Sequence, residues 1–206
     1  MSIYIGRFAP SPTGPLHFGS LVAALASYCE AKSQQGKWLV RIEDLDKPRE
    51  VKGATNLILT TLEAFGFAWD GEIMYQSQRS EAYQAALEIL RIKDLVYPCT
   101  CSRKEIADST TDQGIEGAIY PNTCLTHALK NNVRPAYRIK TQDQETAFTD
   151  HIQGEIKQNI AQDIGDFVLL RADHIFAYQL AVVVDDAAQG VTHVERGADL
   201  LHSTHT

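Results

Sequence analysis

The chain has 206 residues, 44% of them apolar and 8% aromatic, which supports a sizeable core and excludes a disordered, collagen-like or disulfide-scaffold protein. Its net charge of −7 excludes attachment to nucleic acid by bulk positive charge. The charge is uneven: residues 1–140 hold 16 basic and 15 acidic side chains and residues 141–206 hold 3 and 11, so contacts with a polyanion belong to the first two thirds.

In chain order, residues 3–8 (IYIGRF) form a short β-rich apolar run, stopped by the prolines and glycine of APSPTGP. Leu16 to Ser33 then reads as a helix with Leu21, Leu25 and Tyr28 on its apolar face. Lys37 to Ile42 is a second strand, and Val51 to Phe65 a second helix with Leu57, Leu59 and Leu62 inward, closed by Gly66. Strand–helix alternation of this kind predicts a parallel α/β sheet. Ser80 to Lys93 gives a third helix, with Ser77 and Ser80 as caps. From Tyr97 to about Arg134 apolar periodicity disappears among Cys, Thr, Asp, Gly and Asn, as in an insertion held by something other than a large core. Extended segments return at Ala136 to Lys140 and Asp166 to Arg171, followed by the apolar run Ile175 to Val184 and a strand at Thr192 to Glu195.

The N-terminus has no basic segment followed by an apolar core, and the longest apolar run is too short to cross a bilayer, so a cytoplasmic protein without a membrane role is expected. No protein partner is evident. Four cysteines do not make a disulfide framework at this length, and Cys99 and Cys101 are too close to bridge comfortably.

Three constellations carry chemistry. The first is Arg7 to Ser20, RFAPSPTGPLHFGS, a stiff loop between strand and helix with His17 and Gly19 where the helix should begin. A helix N-terminus offers unpaired N–H groups and a positive dipole end to a phosphate, and Gly19 lets a ligand lie against the backbone. The bland alternative is a Pro-rich turn with a surface histidine. The second is VRIEDLDKPR, which sets Glu43, Asp44 and Asp46 at the carboxyl end of a parallel strand, where open α/β sheets bind ligands. A carboxylate there can receive an ammonium group, and for Asp44 and Asp46 a solvated turn capping the next helix is the simpler expectation. The third is Cys99-x-Cys101 followed by Tyr120 and Cys124, with His127 close behind. Zinc takes four such donors in a tetrahedron and staples coreless loops. Chemistry alone favours His127 as fourth ligand, because a tyrosine must lose its proton to the metal.

Together the strings resemble class I aminoacyl-tRNA synthetases of the glutamate-specific branch. His17-Phe18-Gly19-Ser20 stands for the family's His-Ile-Gly-His signature, RIED follows the second strand, and FAYQLAVVVDDAAQGVTHVERGADLL resembles the second half of the active site. YPNTC and RIEDLDKPRE are most similar to the branch's shortened, queuosine-directed group, in which a tyrosine replaces the histidine ligand.

The resemblance implies a Rossmann-type α/β catalytic core with a zinc-bearing insertion: residues 1–94 as the first half, 95–165 as the inserted subdomain and 166–206 as an incomplete return. It implies glutamate held by Arg7, Ala9, Ser11, Glu43, Tyr178 and Arg196; ATP held by Pro10, Thr13, Gly14, His17 and Gly19; and catalysis at His17, Gly19 and Ser20. Arg196 suits a side-chain carboxylate because its planar fork binds one bidentately. Cys99, Cys101, Tyr120 and Cys124 become the ligands of a structural zinc, with His127 the alternative, and Mg²⁺ accompanies ATP. Asp185 and Asp186 read as a solvated helix end.

The implied reaction makes glutamyl-adenylate without tRNA and passes glutamate to queuosine in the anticodon of tRNA(Asp). Arg103, Lys104, Lys130, Arg134 and Lys140 form the expected basic patch for that tRNA. The family's Lys-rich KMSKS-type loop has no counterpart before Thr206, so a C-terminally truncated form, or one that activates glutamate poorly, is expected. Two other readings stay open: a catalytic fragment of ordinary glutamyl-tRNA synthetase, and a non-catalytic nucleotide- or RNA-binding module derived from it.

Overall fold

A computed structural model describes residues 3–115 and 117–205, which gather into two compact units, one from residues 1–83 with 181–201 and one from 84–180 with 202–206.

The first unit is built on a parallel sheet. Strand β1 (Ile5–Phe8) pairs with β2 (Lys37–Ile42), Ile5 opposite Lys37, and β2 pairs with β3 (Met74–Tyr75), Ile42 opposite Tyr75. Between them run α1 (Phe18–Ser33) and α2 (Ala54–Ala64). The turn from α1 into β2 runs so close to β1 that a Cβ on Gly36 would collide with the Tyr4 carbonyl.

The apolar faces differ from the sequence expectation. Helix α1 buries its small residues Ala24, Ser27 and Ala31, whereas Leu25 is 53% exposed. The space is already taken by aromatic rings: Trp38 stacks near Phe67, Tyr28 meets both edge-on, and the Trp38 indole N–H donates to Ser27 Oγ at 2.9 Å. Large side chains on β2 thus require small ones on α1. Helix α2 buries Ala54, Ile58 and Leu62 and leaves Leu57 outside.

Helix α3 (Ser80–Ile92) follows a single 3₁₀ turn at Gln76–Gln78. The second unit then holds an antiparallel sheet ordered β10-β7-β4, from β4 (Val96–Cys99), β7 (Ala136–Ile139) and β10 (Val168–Leu170). Two small hairpins complete it: β5 (Gln113–Gly114) with β6 (Gly117–Ala118), and β8 (Glu145–Asp150) with β9 (Gly154–Asn159). The short helices are α4 (Arg103–Ser109), α5 (Thr123–Thr126) and α6 (Ile160–Asp163), and α4 opens on a capping box in which Ser102 and Glu105 bond reciprocally.

The apolar run at Ile175 becomes helix α7 (Tyr178–Gln189). Thr192 to Glu195 is not a strand. The Ile5 N–H donates to Thr192 Oγ1, the Ile5 carbonyl accepts from the N–H groups of Thr192 and His193, and the Tyr4 side chain stacks on His193 at 4.1 Å and donates to Glu195; backbone bonds to one residue of β1 make no ladder. Among the described residues, no helix is long and apolar enough to cross a membrane.

Candidate active site and metal centre

The loop between β1 and α1 is pinned from two sides. The Pro10 carbonyl accepts from the Glu43 N–H at 3.0 Å, and the Pro12 carbonyl from the Val51 N–H at 2.9 Å. His17 is the N-cap of α1: its Nδ1 accepts from the Ser20 N–H at 3.1 Å, and its Nε2 lies 3.0 Å from Ser20 Oγ. Ser20 therefore clamps the imidazole. Gly19 makes room for the ring, since a Cβ there would stand 3.1 Å from His17 Cε1. His17 and Gly19 remain exposed at the start of the helix, as do Ser11 and Thr13 in the loop before it.

Ser11 and Thr13 share a cleft of about 50 Å³ with Glu43, Asp44, Asp46 and Arg49. Glu43 directly follows β2, with its side chain 7% exposed. Burial pushes its carboxyl up to about 7, against the pull of Arg41 and Arg7 and with a further push from Asp186. Asp44 is buried and accepts from the Ser77 N–H at 2.8 Å and Ser77 Oγ at 2.6 Å, so it anchors the turn before α3 and is not solvated.

Arg7, at the end of β1, is buried beside this cleft's Glu43. Its Nε and Nη2 donate to Asp186 at 3.3 and 3.4 Å. Arg41, fully buried, donates through Nη1 to Asp186 at 2.5 Å and to Gln189 at 2.9 Å, and through Nη2 to Glu43 at 3.2 Å. Asp185 is also fully buried and accepts from Gln76, Arg79 and Tyr83 at 3.0, 2.9 and 2.7 Å. The solvated helix end expected for this pair is thus corrected: both carboxylates are occupied by donors from distant parts of the first unit. Arg41 was legible as the residue two before Glu43, near the end of the strand that leads to it. Asp186 and Gln189 gave no local signal.

Of the other residues implied for glutamate, Ala9 and Arg196 are half-buried in irregular segments of the first unit. Tyr178 opens α7 in the second unit and is 37% exposed. Pro10 and Gly14 are half-buried parts of the pinned loop.

In the second unit four donors converge. The Sγ atoms of Cys99, Cys101 and Cys124 lie within 4.8 Å of one another. Tyr120 Oη stands 3.3 Å from Cys99 Sγ and 3.6 Å from Cys101 Sγ, and the Cys101–Cys124 separation is 3.5 Å. A tetrahedron with zinc–sulfur bonds of about 2.3 Å and a zinc–oxygen bond of about 2.0 Å has edges of roughly 3.5–3.8 Å, so the donor set fits such an ion. The Cys124 N–H donates to Tyr120 Oη at 2.9 Å, and Arg138 lies 4.1 Å over the Tyr120 ring. Burial raises Tyr120 and pushes Cys101 up to about 11. At Cys124, hydrogen bonds from Tyr120, the Thr100 N–H and the neighbouring thiols outweigh burial and bring the thiol down to about 7. His127 is exposed, with Nδ1 engaged by Thr126 Oγ1 and the Thr123 carbonyl, outside the cluster.

Of the five patch residues, Lys130 pairs with Glu105 and Lys140 with Asp94, whereas Arg103, Lys104 and Arg134 are exposed.

Residues 5–206 match the family model for the catalytic domain of class I tRNA synthetases (E and Q). The chain is 59% identical to the glutamyl-Q tRNA(Asp) synthetase of Dechloromonas aromatica and 57% identical to that of Chromobacterium violaceum, in each case over 98% of its own length and 68% of the relative's. Among solved structures it resembles a glutamate tRNA ligase from Elizabethkingia meningosepticum in complex with its amino acid, with a TM-score of 0.83 and 29% identity over 98% of this chain and 45% of that one. The α/β architecture expected from the sequence is the catalytic-domain fold of that ligase. The chain belongs to the class I tRNA synthetases of the E and Q branch and carries their catalytic-domain fold.

Proposed function

We propose that this chain activates glutamate with ATP and transfers it to queuosine in the anticodon of tRNA(Asp), in the cytoplasm. The observation that carries the chemistry is that Arg7, near the carboxyl end of β1, and Glu43, just after the adjacent parallel strand β2, lie close enough for the Arg7 charge to act on the Glu43 carboxyl, in the unit whose α1 opens on the clamped His17. A buried guanidinium and a buried carboxylate suit a substrate that brings both a carboxylate and an ammonium group. The identity to relatives named glutamyl-Q tRNA(Asp) synthetase supports the choice of amino acid and acceptor.

In the first step a glutamate α-carboxylate oxygen forms a bond to the α-phosphorus of ATP as the bond to pyrophosphate breaks. In the second, a hydroxyl of the queuosine cyclopentene-diol takes the acyl group and AMP leaves. Neither step needs a protein nucleophile, so the residues act by placement and charge. Within the first unit, Arg7 and Arg196 hold the side-chain carboxylate, Glu43 holds the ammonium, and Ala9 and Ser11 complete the amino-acid contacts. The N–H groups of α1 with His17, Pro10, Thr13, Gly14 and Gly19 receive the phosphates, and Ser20 fixes the imidazole. Glu43 must be ionised to receive an ammonium, and an arriving positive charge favours that form. Magnesium bound with ATP supplies neutralisation of phosphate charge.

Cys99, Cys101, Tyr120 and Cys124 would hold a structural zinc, which supplies the cross-link that the sparse core around Tyr97, Ile106 and Tyr120 lacks. The exposed Arg103, Lys104 and Arg134 are the contacts offered to tRNA, with binding that weakens as salt rises.

Incubation with labelled glutamate, ATP and queuosine-containing tRNA(Asp) tests the reading. Label should enter that tRNA and not tRNA(Asp) lacking queuosine. Label at the 3′ end of tRNA(Glu) instead would assign ordinary glutamyl-tRNA synthetase activity.

A further inference from the structure

The two charged groups offered to the substrate are steadied from one place. Asp186 Oδ1 accepts from Arg41 Nη1 at 2.5 Å and from Arg7 Nε at 3.3 Å, and Oδ2 accepts from Arg7 Nη2 at 3.4 Å. Arg41 carries that restraint onward, because its Nη2 reaches Glu43 at 3.2 Å while its Nη1 is also held by Gln189 at 2.9 Å. With no exposed surface, Arg41 is sealed from any ligand and acts only through its partners. The carboxylate of Asp186 therefore grips a guanidinium on β1 directly and, through a guanidinium on β2, the carboxylate that directly follows β2. Two cations and two anions balance one another before any substrate arrives.

We propose that Asp186 is a positioning residue for the amino acid: it fixes Arg7 for the substrate carboxylate and, by occupying one arm of Arg41, keeps Glu43 from being captured wholly by that arginine. This rests on the reading of Arg7 and Glu43 as glutamate contacts. Without the negative charge at position 186, Arg7 loses its charged acceptor, and Arg41, left with Gln189 and the neighbouring Asp185, turns more of its charge on Glu43. The ammonium then competes with a stronger internal partner. Around Glu43 stand Arg41 on β2, Arg7 on β1 and Asp186 on α7, and Asp44, Asp46, Arg49 and Glu50 line the same cleft. Asp186 opposes ionisation of Glu43, so its removal moves the proton loss of Glu43 to lower pH.

The test is calorimetric titration of the unaltered chain, Asp186→Asn and Arg41→Lys with glutamate and, separately, with ATP, across pH 5.5–8.5. Asp186→Asn keeps the size but removes the charge and exchanges one accepting oxygen for an NH₂ group, which cannot accept from Arg7. It should weaken glutamate binding at pH 8 by about tenfold, the cost of a lost charge-assisted bond. The acidic limb of glutamate affinity should move to lower pH, with ATP affinity unchanged. Arg41→Lys, which cannot span Asp186 and Glu43 together, should also weaken glutamate binding without affecting ATP, and it decides the matter if Asp186→Asn does not fold. Glutamate affinity within twofold of the unaltered chain with the same limb, or equal losses for glutamate and ATP, would overturn the inference. Failure of the unaltered chain to bind glutamate while binding ATP would instead overturn the functional reading beneath it.

Discussion

Asp185 and Asp186 are adjacent on α7 and serve different neighbours: Asp185 gathers Gln76, Arg79 and Tyr83, and Asp186 gathers Arg7 and Arg41. Removing one side of a buried charge network leaves the other desolvated and unpaired, so Asp185→Ala should cost about 3–5 kcal/mol in a denaturant unfolding curve. A loss under about 1 kcal/mol would show that water reaches the site. Glu43 makes a pH-dependent contribution of definite sign. Burial holds its folded-state value near 7, above the ordinary 4.5, so the stability it contributes is complete below pH 4.5 and is lost as pH rises through about 7. Relative to Glu43→Gln, the unaltered chain should lose melting temperature across that interval; parallel profiles would contradict the assigned burial. At this scale the sequence was partly legible. Arg7, His17 and Glu43 stood in recognisable strings, but the partners of Asp185 and Asp186 lie more than a hundred residues away, and no local pattern announces them.

Among the elements, periodicity located β1, β2, β7 and α1 to α3, missed the β8–β9 hairpin and the short helices of the second unit, gave a strand at Thr192 to Glu195 that does not form, and chose the buried face of α1 only in part. A count of large apolar side chains favours Leu21, Leu25 and Tyr28; Tyr28 does pack against the core, but Leu25 stays outside and close approach to an aromatic-rich sheet buries Ala24, Ser27 and Ala31. Ala24→Leu should therefore destabilise the fold by about 1–3 kcal/mol through overpacking, and Leu25→Ala should change it by less than about 1 kcal/mol. Chemical denaturation compares the two, and the reverse ranking would restore the expected face. In the second unit the absence of apolar periodicity from Tyr97 onward did signal a segment organised around polar and sulfur groups. The choice between Tyr120 and His127 was beyond spacing, because it depends on the Asn122 turn and the backbone bond from Cys124 that bring the phenol among the thiols. Elemental analysis of purified protein should give one zinc per chain. Cys124→Ser should lower that occupancy and the stability, while His127→Ala should leave both intact; zinc lost with His127 and kept with Cys124→Ser would reassign the ligand.

For the molecule as a whole, strand–helix alternation and four motifs in the family's order made the parallel first unit and the family readable from composition upward. The compact units divide at 83/84, 180/181 and 201/202, within α3, α7 and the 3₁₀ segment Ala198–Thr204, so no loop-rich boundary marks them in the sequence. The chain covers about two thirds of the length of its curated relatives and under half of the solved ligase, so its activity is established by assay of the chain itself. The most direct assay is exchange of labelled pyrophosphate into ATP in the absence of tRNA. The account predicts exchange that requires glutamate and is not supported by glutamine or aspartate. Exchange that appears only when tRNA(Glu) is added, or that ignores the amino acid supplied, would contradict it.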